Sequence, residues 1–182
     1  MSFLSDTLKV QREFYSAEKG LIVHSSSFEK DGLGFICGGI STAGKSTLCF
    51  KLQHIFTPIN DEKNILEFAG DGLIIKSFCD LNSLYGTKKY LVNQELTAKL
   101  RAFLFVAKEF EKETYLEKLT DKALIWKKLL FSAAPPAEGE NQLFGHYFSM
   151  LEKLMSRTEF FIIHHNLKDS PEFVAGRLLE IG

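Results

Sequence analysis

Gly39, four residues, then Gly44, Lys45 and Ser46 match G-x-x-x-x-G-K-[ST], a spacing whose chemistry is the holding of phosphate. The glycines permit backbone conformations that a Cβ would obstruct, so successive N–H groups can converge on phosphate oxygens. Lys45 is placed to bridge the β- and γ-phosphates, and the Ser46 hydroxyl to help hold Mg²⁺. The binding stretch is read as Gly39, Ile40, Ser41, Thr42, Ala43, Gly44, Lys45, Ser46 and Thr47. A nucleotide or another phosphate ligand is the expected occupant.

Those residues need a strand before them and a helix after them. Leu33 to Cys37 (LGFIC) is an apolar run of strand length, and Ser46 to Gln53 carries apolar residues at helical spacing. The helix would add the positive end of its dipole beside the phosphates. Around this unit the chain reads as mixed α/β. Gly20 to Ser26 is a strand, the turn at Lys30 to Gly32 follows, and a polar bend lies near Pro58 to Asp61. Asn64 to Phe68 and Leu73 to Ile75 are apolar pieces flanking Gly70, Asp71 and Gly72, and Leu100 to Val106 is the next strand. Thr120 is expected to cap a helix from Asp121 to Phe131, with Ala123, Leu124, Trp126 and Leu130 facing the core. The Ala133 to Asn141 stretch is a loop, Gln142 to Ser156 a helix and Glu159 to His164 a strand. Ser170 caps a terminal helix with Pro171 at its first position.

Length and composition fit one domain over residues 1–182, the first 19 forming an N-terminal extension. The N-terminal stretch mixes charges among its apolar residues and lacks a signal-peptide core, and no apolar segment is long enough to span a bilayer. A cytoplasmic location with no membrane partner is the expectation. A net charge of −1 without a concentrated Lys/Arg block marks no nucleic-acid surface. Cys37, Cys49 and Cys79 form neither a C-x-x-C pair nor a metal-finger spacing, so reduced buried thiols are expected. His164 and His165 are adjacent strand residues that point to opposite faces and do not share a metal.

The stretch from His24 to Thr47 resembles the HPr kinase/phosphorylase family, whose P-loop fold is shared with phosphoenolpyruvate carboxykinases. His24 on the preceding strand, Gly32 with Gly34, and the loop from Gly39 fall in the family's order. The segment Ala69 to Ile75 (AGDGLII) looks like its aspartate-bearing strand, and Tyr85, Gly86 and Thr87 like its GT loop. The resemblance implies a single-domain α/β P-loop fold with a mixed central sheet flanked by helices. It implies ATP and Mg²⁺ as ligands, with Ser46 and Asp71 on the metal and His24, Lys45 and Asp71 as the catalytic set.

Two departures from the family bear on function. The family ends its acidic strand with two neighbouring carboxylates, whereas Asp71 stands alone between glycines. Glu67 and Asp80 are the nearby substitutes, and Arg101 is either a phosphate clamp or a strand flank. The arginine-rich segment that engages the protein substrate is missing, and few residues precede His24, so a minimal catalytic domain is expected. The resemblance therefore implies an ATP-dependent phosphotransferase acting on a hydroxyl of a protein, peptide or small molecule, with a homo-oligomer possible. The alternative is a catalytically weak nucleotide-binding regulatory module.

Overall fold

The computed structural model describes residues 3–78 and 95–181, with side chains from residue 9 onward. Cys79, Asp80 and the Tyr85–Thr87 segment lie outside the described residues. Helix α1 (Phe3–Ser16) is followed by β1 (Gly20–His24), β2 (Ser26–Lys30), β3 (Leu33–Gly38), α2 (Lys45–Leu52), β4 (Thr57–Asn60), β5 (Lys63–Ala69) and β6 (Gly72–Ser77). Then come β7 (Thr97–Glu109), β8 (Tyr115–Lys118), α3 (Lys122–Ser132), α4 (Phe144–Arg157), β9 (Glu159–Asn166) and α5 (Pro171–Leu179).

The strands form one mixed sheet in the order β1-β5-β6-β7-β3-β2-β4. The long strand β7 organises it. On one side β7 runs parallel to β3, while the other side is shared by β6 along Thr97–Lys99 and by β9 from Ala102 onward. Strands in the middle of such a sheet are covered on both faces, which is why Ala102 to Val106 are all buried and read as a continuous apolar run.

Helices cover both faces. Leu48, Cys49 and Leu52 of α2 pack with Val174, Ala175 and Leu178 of α5 over Phe28, Phe35 and Phe56. On the other face Tyr15 of α1, Ile125 and Leu129 of α3 and Tyr147, Met150, Leu151 and Leu154 of α4 pack on Phe103, Phe105 and Phe160. The N-terminal extension is thus occupied by a helix that sinks Tyr15 into this core and donates its hydroxyl to Ala134 O at 2.5 Å.

Several boundaries differ from expectation for physical reasons. The polar bend near Pro58 is instead strand β4, because Pro58, Ile59 and Asn60 are buried against β2. The strand read through Ser26 breaks at Ser25, so β1 pairs with β5 and β2 with β3 and β4. The cap of α3 is Asp121 rather than Thr120, its carboxylate accepting from the Ala123 and Leu124 amides. The core face of α3 centres on Ile125 and Leu129, while Ala123 and Leu130 are exposed and Leu124 and Trp126 pack at the margin. The cap of α5 is Ser170 with Pro171 at its first turn, as read.

The sheet curls so that its two ends meet. The turn from β4 runs directly into β5, and the Ser25 amide donates to Glu62 O at 3.0 Å, joining the β1–β2 break to that turn. The Asp31–Gly32 hairpin turn, with φ of 54° and 79°, hands the chain from β2 to β3.

Candidate functional site

Strand β3 ends at Gly38 and α2 begins at Lys45, with Gly44 as its N-cap at φ 103°. The expected order of strand, glycine loop and helix is present. Gly44 supplies a left-handed backbone that few L-residues adopt. Thr42 takes φ 73°, an outlier for a β-branched residue of the kind that clusters at ligand sites. The Gly39 amide donates to Ser132 Oγ at 3.0 Å, tying the loop to α3.

The Lys45 side chain folds back over its own loop. Its Nζ donates to Gly39 O at 2.9 Å and Ile40 O at 3.0 Å, and the residue is only 7% exposed. Burial lowers its pKa, while Cys37 and Asp61 act in the opposite direction. By contrast, the amides of Ile40, Ser41, Thr42, Gly44, Lys45, Ser46 and Thr47 donate to no protein acceptor among the described residues. A short segment therefore offers a run of N–H donors beside a cation at a helix N-terminus.

The carboxylates nearest in effect lie elsewhere than the sequence suggested. Asp61 and Glu62 follow β4, and Ser26 Oγ donates to Asp61 Oδ1 at 2.5 Å. Beneath them is a buried polar network. Ser27 Oγ donates to Asn64 Oδ1 at 2.6 Å, Asn64 Nδ2 donates to Ser25 O and Oγ at 2.9 Å, and Asn60 Nδ2 donates to Lys63 O at 2.6 Å. Ser25, Ser26, Ser27, Asn60 and Asn64 are fully buried, so these bonds fix the acidic turn firmly in place.

His24 ends β1 opposite Lys63, exposed to solvent on one side. Its pKa is lowered, first by partial burial and then by Lys45, against opposing contributions from Glu62 and Asp61. His24, Lys45, Asp61 and Glu62 thus share one electrostatic neighbourhood. The sequence signal for the last two was present: adjacent carboxylates after the apolar pair Pro58–Ile59. Reading that stretch as a bend concealed it.

Asp71 is in a different place. It is exposed in the β5–β6 turn and lines a cavity with Lys99, Arg101 and Arg157. The loop residues Gly39, Ile40, Thr42 and Ala43 line another cavity, of about 500 Å³, with Lys108, Lys127 and Lys128. Strand β6 meets β7 only near Thr97–Lys99, whereas Gly38, at the root of the loop, pairs with Phe105. Asp71 thus lies toward the Thr97–Lys99 end of β7 and the loop toward the Phe105 end, in separate cavities. Glu67 pairs with Lys76 on the neighbouring strand, and Arg101 Nε donates to Ile181 O at 3.0 Å, away from the loop.

The remaining candidates are structural in their contacts. Cys37 and Cys49 are both buried, and burial pushes the Cys37 thiol up. His164 stacks on Tyr115 and contacts Glu117 at 3.0 Å, while His165 turns inward to Lys51, so the two histidines do occupy opposite faces. Among the described residues no helix is long and apolar enough to cross a membrane.

No family model matches the chain, and no curated protein matches it in sequence. Among solved structures, the Hpr(Ser) kinase/phosphatase from Coxiella burnetii is similar with a TM-score of 0.43 at 12% identity, over 87% of this chain and 94% of that one. An overlap at that score leaves function to be argued from the chemistry of the site.

Proposed function

We propose that the 39–47 loop binds ATP with Mg²⁺ and that the chain transfers the γ-phosphoryl group to a hydroxyl of a protein, peptide or small molecule. One observation carries this reading: a run of loop amides that donate to no acceptor among the described residues belongs to the same loop whose Gly39 and Ile40 carbonyls hold the buried Lys45 ammonium, with Asp61 acting on it. Donors left unpaired beside a desolvated cation suit a multiply charged anion.

Ser46 and Asp61 fit the metal. Both present hard oxygens, and Asp61 Oδ1 is oriented by Ser26, which leaves Oδ2 available. Mg²⁺ takes few protein ligands beside substrate phosphates and water, so two such residues suffice. When bound, it neutralises charge on the β- and γ-phosphates during transfer. The loop amides and Lys45 hold the phosphates in line and stabilise the charge that develops on the transferred group. His24, whose lowered pKa keeps the imidazole neutral at neutral pH, accepts the proton of the attacking hydroxyl. The new bond joins that oxygen to the γ-phosphorus, the bond to the β-phosphate oxygen breaks, and ADP leaves. Glu62, exposed nearby, acts against that lowering without reversing it.

Calorimetric titration with ATP and Mg²⁺, followed in the same sample by phosphorus NMR, tests the reading. Binding with loss of the γ-phosphate supports the phosphotransferase. Binding without turnover across hydroxyl acceptors leaves a nucleotide-binding regulatory module, and no binding overturns the loop assignment.

A further inference from the structure

The sheet carries a second cationic cavity away from the glycine loop, of about 900 Å³. Its floor is shaped by an irregularity in the pairing of β3 with β7. Gly34 pairs with Leu100 but Phe35 pairs with Ala102, so Arg101 is an extra residue bulged out of register. A bulge re-aims a side chain at the expense of a ladder position and is over-represented beside functional sites.

The Arg101 side chain is then held in a way that packing alone does not explain. Nε donates to Ile181 O at 3.0 Å, but Nη2 is buried with no hydrogen-bond partner. The Thr158 hydroxyl, lining the same cavity, is likewise buried without a partner. Two orphaned buried polar groups in one cavity are uncommon, and each incurs an uncompensated desolvation cost. Lys99 and Arg157 add cations to the lining, and Arg157 is steadied by its bond to Gly70 O at 2.6 Å. Of the two carboxylates present, Glu159 is already paired with Lys118, leaving Asp71 alone against three cations.

We infer that this cavity is a binding site for a small oxyanion, a phosphate or carboxylate group held among the Lys99, Arg101 and Arg157 cations that line it. A guanidinium offers a fork of N–H donors matched to such groups, and three cations against one unpaired carboxylate give the cavity a net attraction for an anion. The inference does not depend on the glycine loop.

The test is calorimetric titration of the full chain with inorganic phosphate and, separately, citrate, against sodium chloride at matched ionic strength. Lys45→Ala, which weakens any binding at the loop, is still expected to bind one of the two anions, the stronger binder naming the ligand chemistry. Arg101→Gln is expected to weaken that binding by roughly tenfold or more, given the loss of charge-assisted bonds. Should Arg101→Gln fail to fold, Lys99→Gln and Arg157→Gln each report on the same cavity with milder changes. Binding that is lost in Lys45→Ala and kept in Arg101→Gln would assign the anion to the glycine loop and overturn the inference. Absence of binding by either anion in wild type would overturn it as well.

Discussion

Replacing Lys45 with methionine separates the proposed role of the ammonium from its contribution to the fold. Methionine keeps most of the stem that is buried at 7% exposure and removes only the charged head. In the free protein that head makes two bonds, to Gly39 O at 2.9 Å and Ile40 O at 3.0 Å. Bonds from charged donors contribute roughly 1.5–3 kcal/mol each in favourable settings. Two features reduce the net figure here. Gly39 and Ile40 are open enough for water to replace the lost donor, and the ammonium is itself desolvated, as its lowered pKa reflects. A net loss of about 1 kcal/mol follows, which for a domain of this size is a fall in Tm of roughly 2–4 °C. With ATP bound, the same head would donate to phosphate oxygens, where no neutral side chain substitutes. The loss there is roughly 2–3 kcal/mol, or about 30- to 150-fold in Kd. Calorimetry gives Kd, and thermal melts with and without Mg²⁺ and ATP give the ligand-induced rise in Tm, which should shrink in proportion. A variant whose Kd for ATP stays within about threefold of wild type would refute the loop assignment, whatever its melting temperature.

Further outcomes follow from the same geometry. Asp61→Asn should lower phosphoryl transfer by roughly two orders of magnitude, while Asp71→Asn leaves it unchanged; turnover assays on both decide between the two carboxylates. His165 is 4% exposed and its pKa is lowered to about 4 by burial and Lys51, so the unfolded chain binds its proton more readily. The resulting stability is fully present above the ordinary histidine value of about 6.5 and declines as pH falls from there toward 4. A shift of that size corresponds to a loss of roughly 2–3 kcal/mol. Urea unfolding across that range should show it, and His165→Gln should flatten the slope. Asn64→Leu would leave the Ser27 hydroxyl with only its long bond to Asn60 O at 3.5 Å and Ser25 O and Oγ without their amide donor, costing roughly 2–4 kcal/mol in urea unfolding. An unchanged midpoint would show that the network does not hold the acidic turn. Tyr15→Phe, which removes only the hydroxyl bonded to Ala134 O, should cost about 1 kcal/mol by the same measurement, and no loss would mean that this bond does not help to hold α1.

Local signals carried the strand, loop and helix around Gly39 to Ser46, because that unit is built from adjacent residues whose backbone needs are written in their types. The same holds for the Ser170–Pro171 helix start and for the opposite orientations of His164 and His165, which follow from the two-residue period of a strand. Tertiary structure decided the rest. Pro58 and Asn60 look like turn residues until β2 buries them, and only then does Asp61 emerge as the end of a strand. Tyr15 has no local reason to be in a core until α4 and the Ala134 carbonyl come to it. Asp71 and Asp61 are both aspartates near strand ends, and nothing in their immediate neighbours says which one comes within electrostatic reach of Lys45. The curl of the sheet, which brings the β4–β5 turn to the break between β1 and β2, made that choice, because long-range strand pairing sets which ends converge and sequence spacing does not.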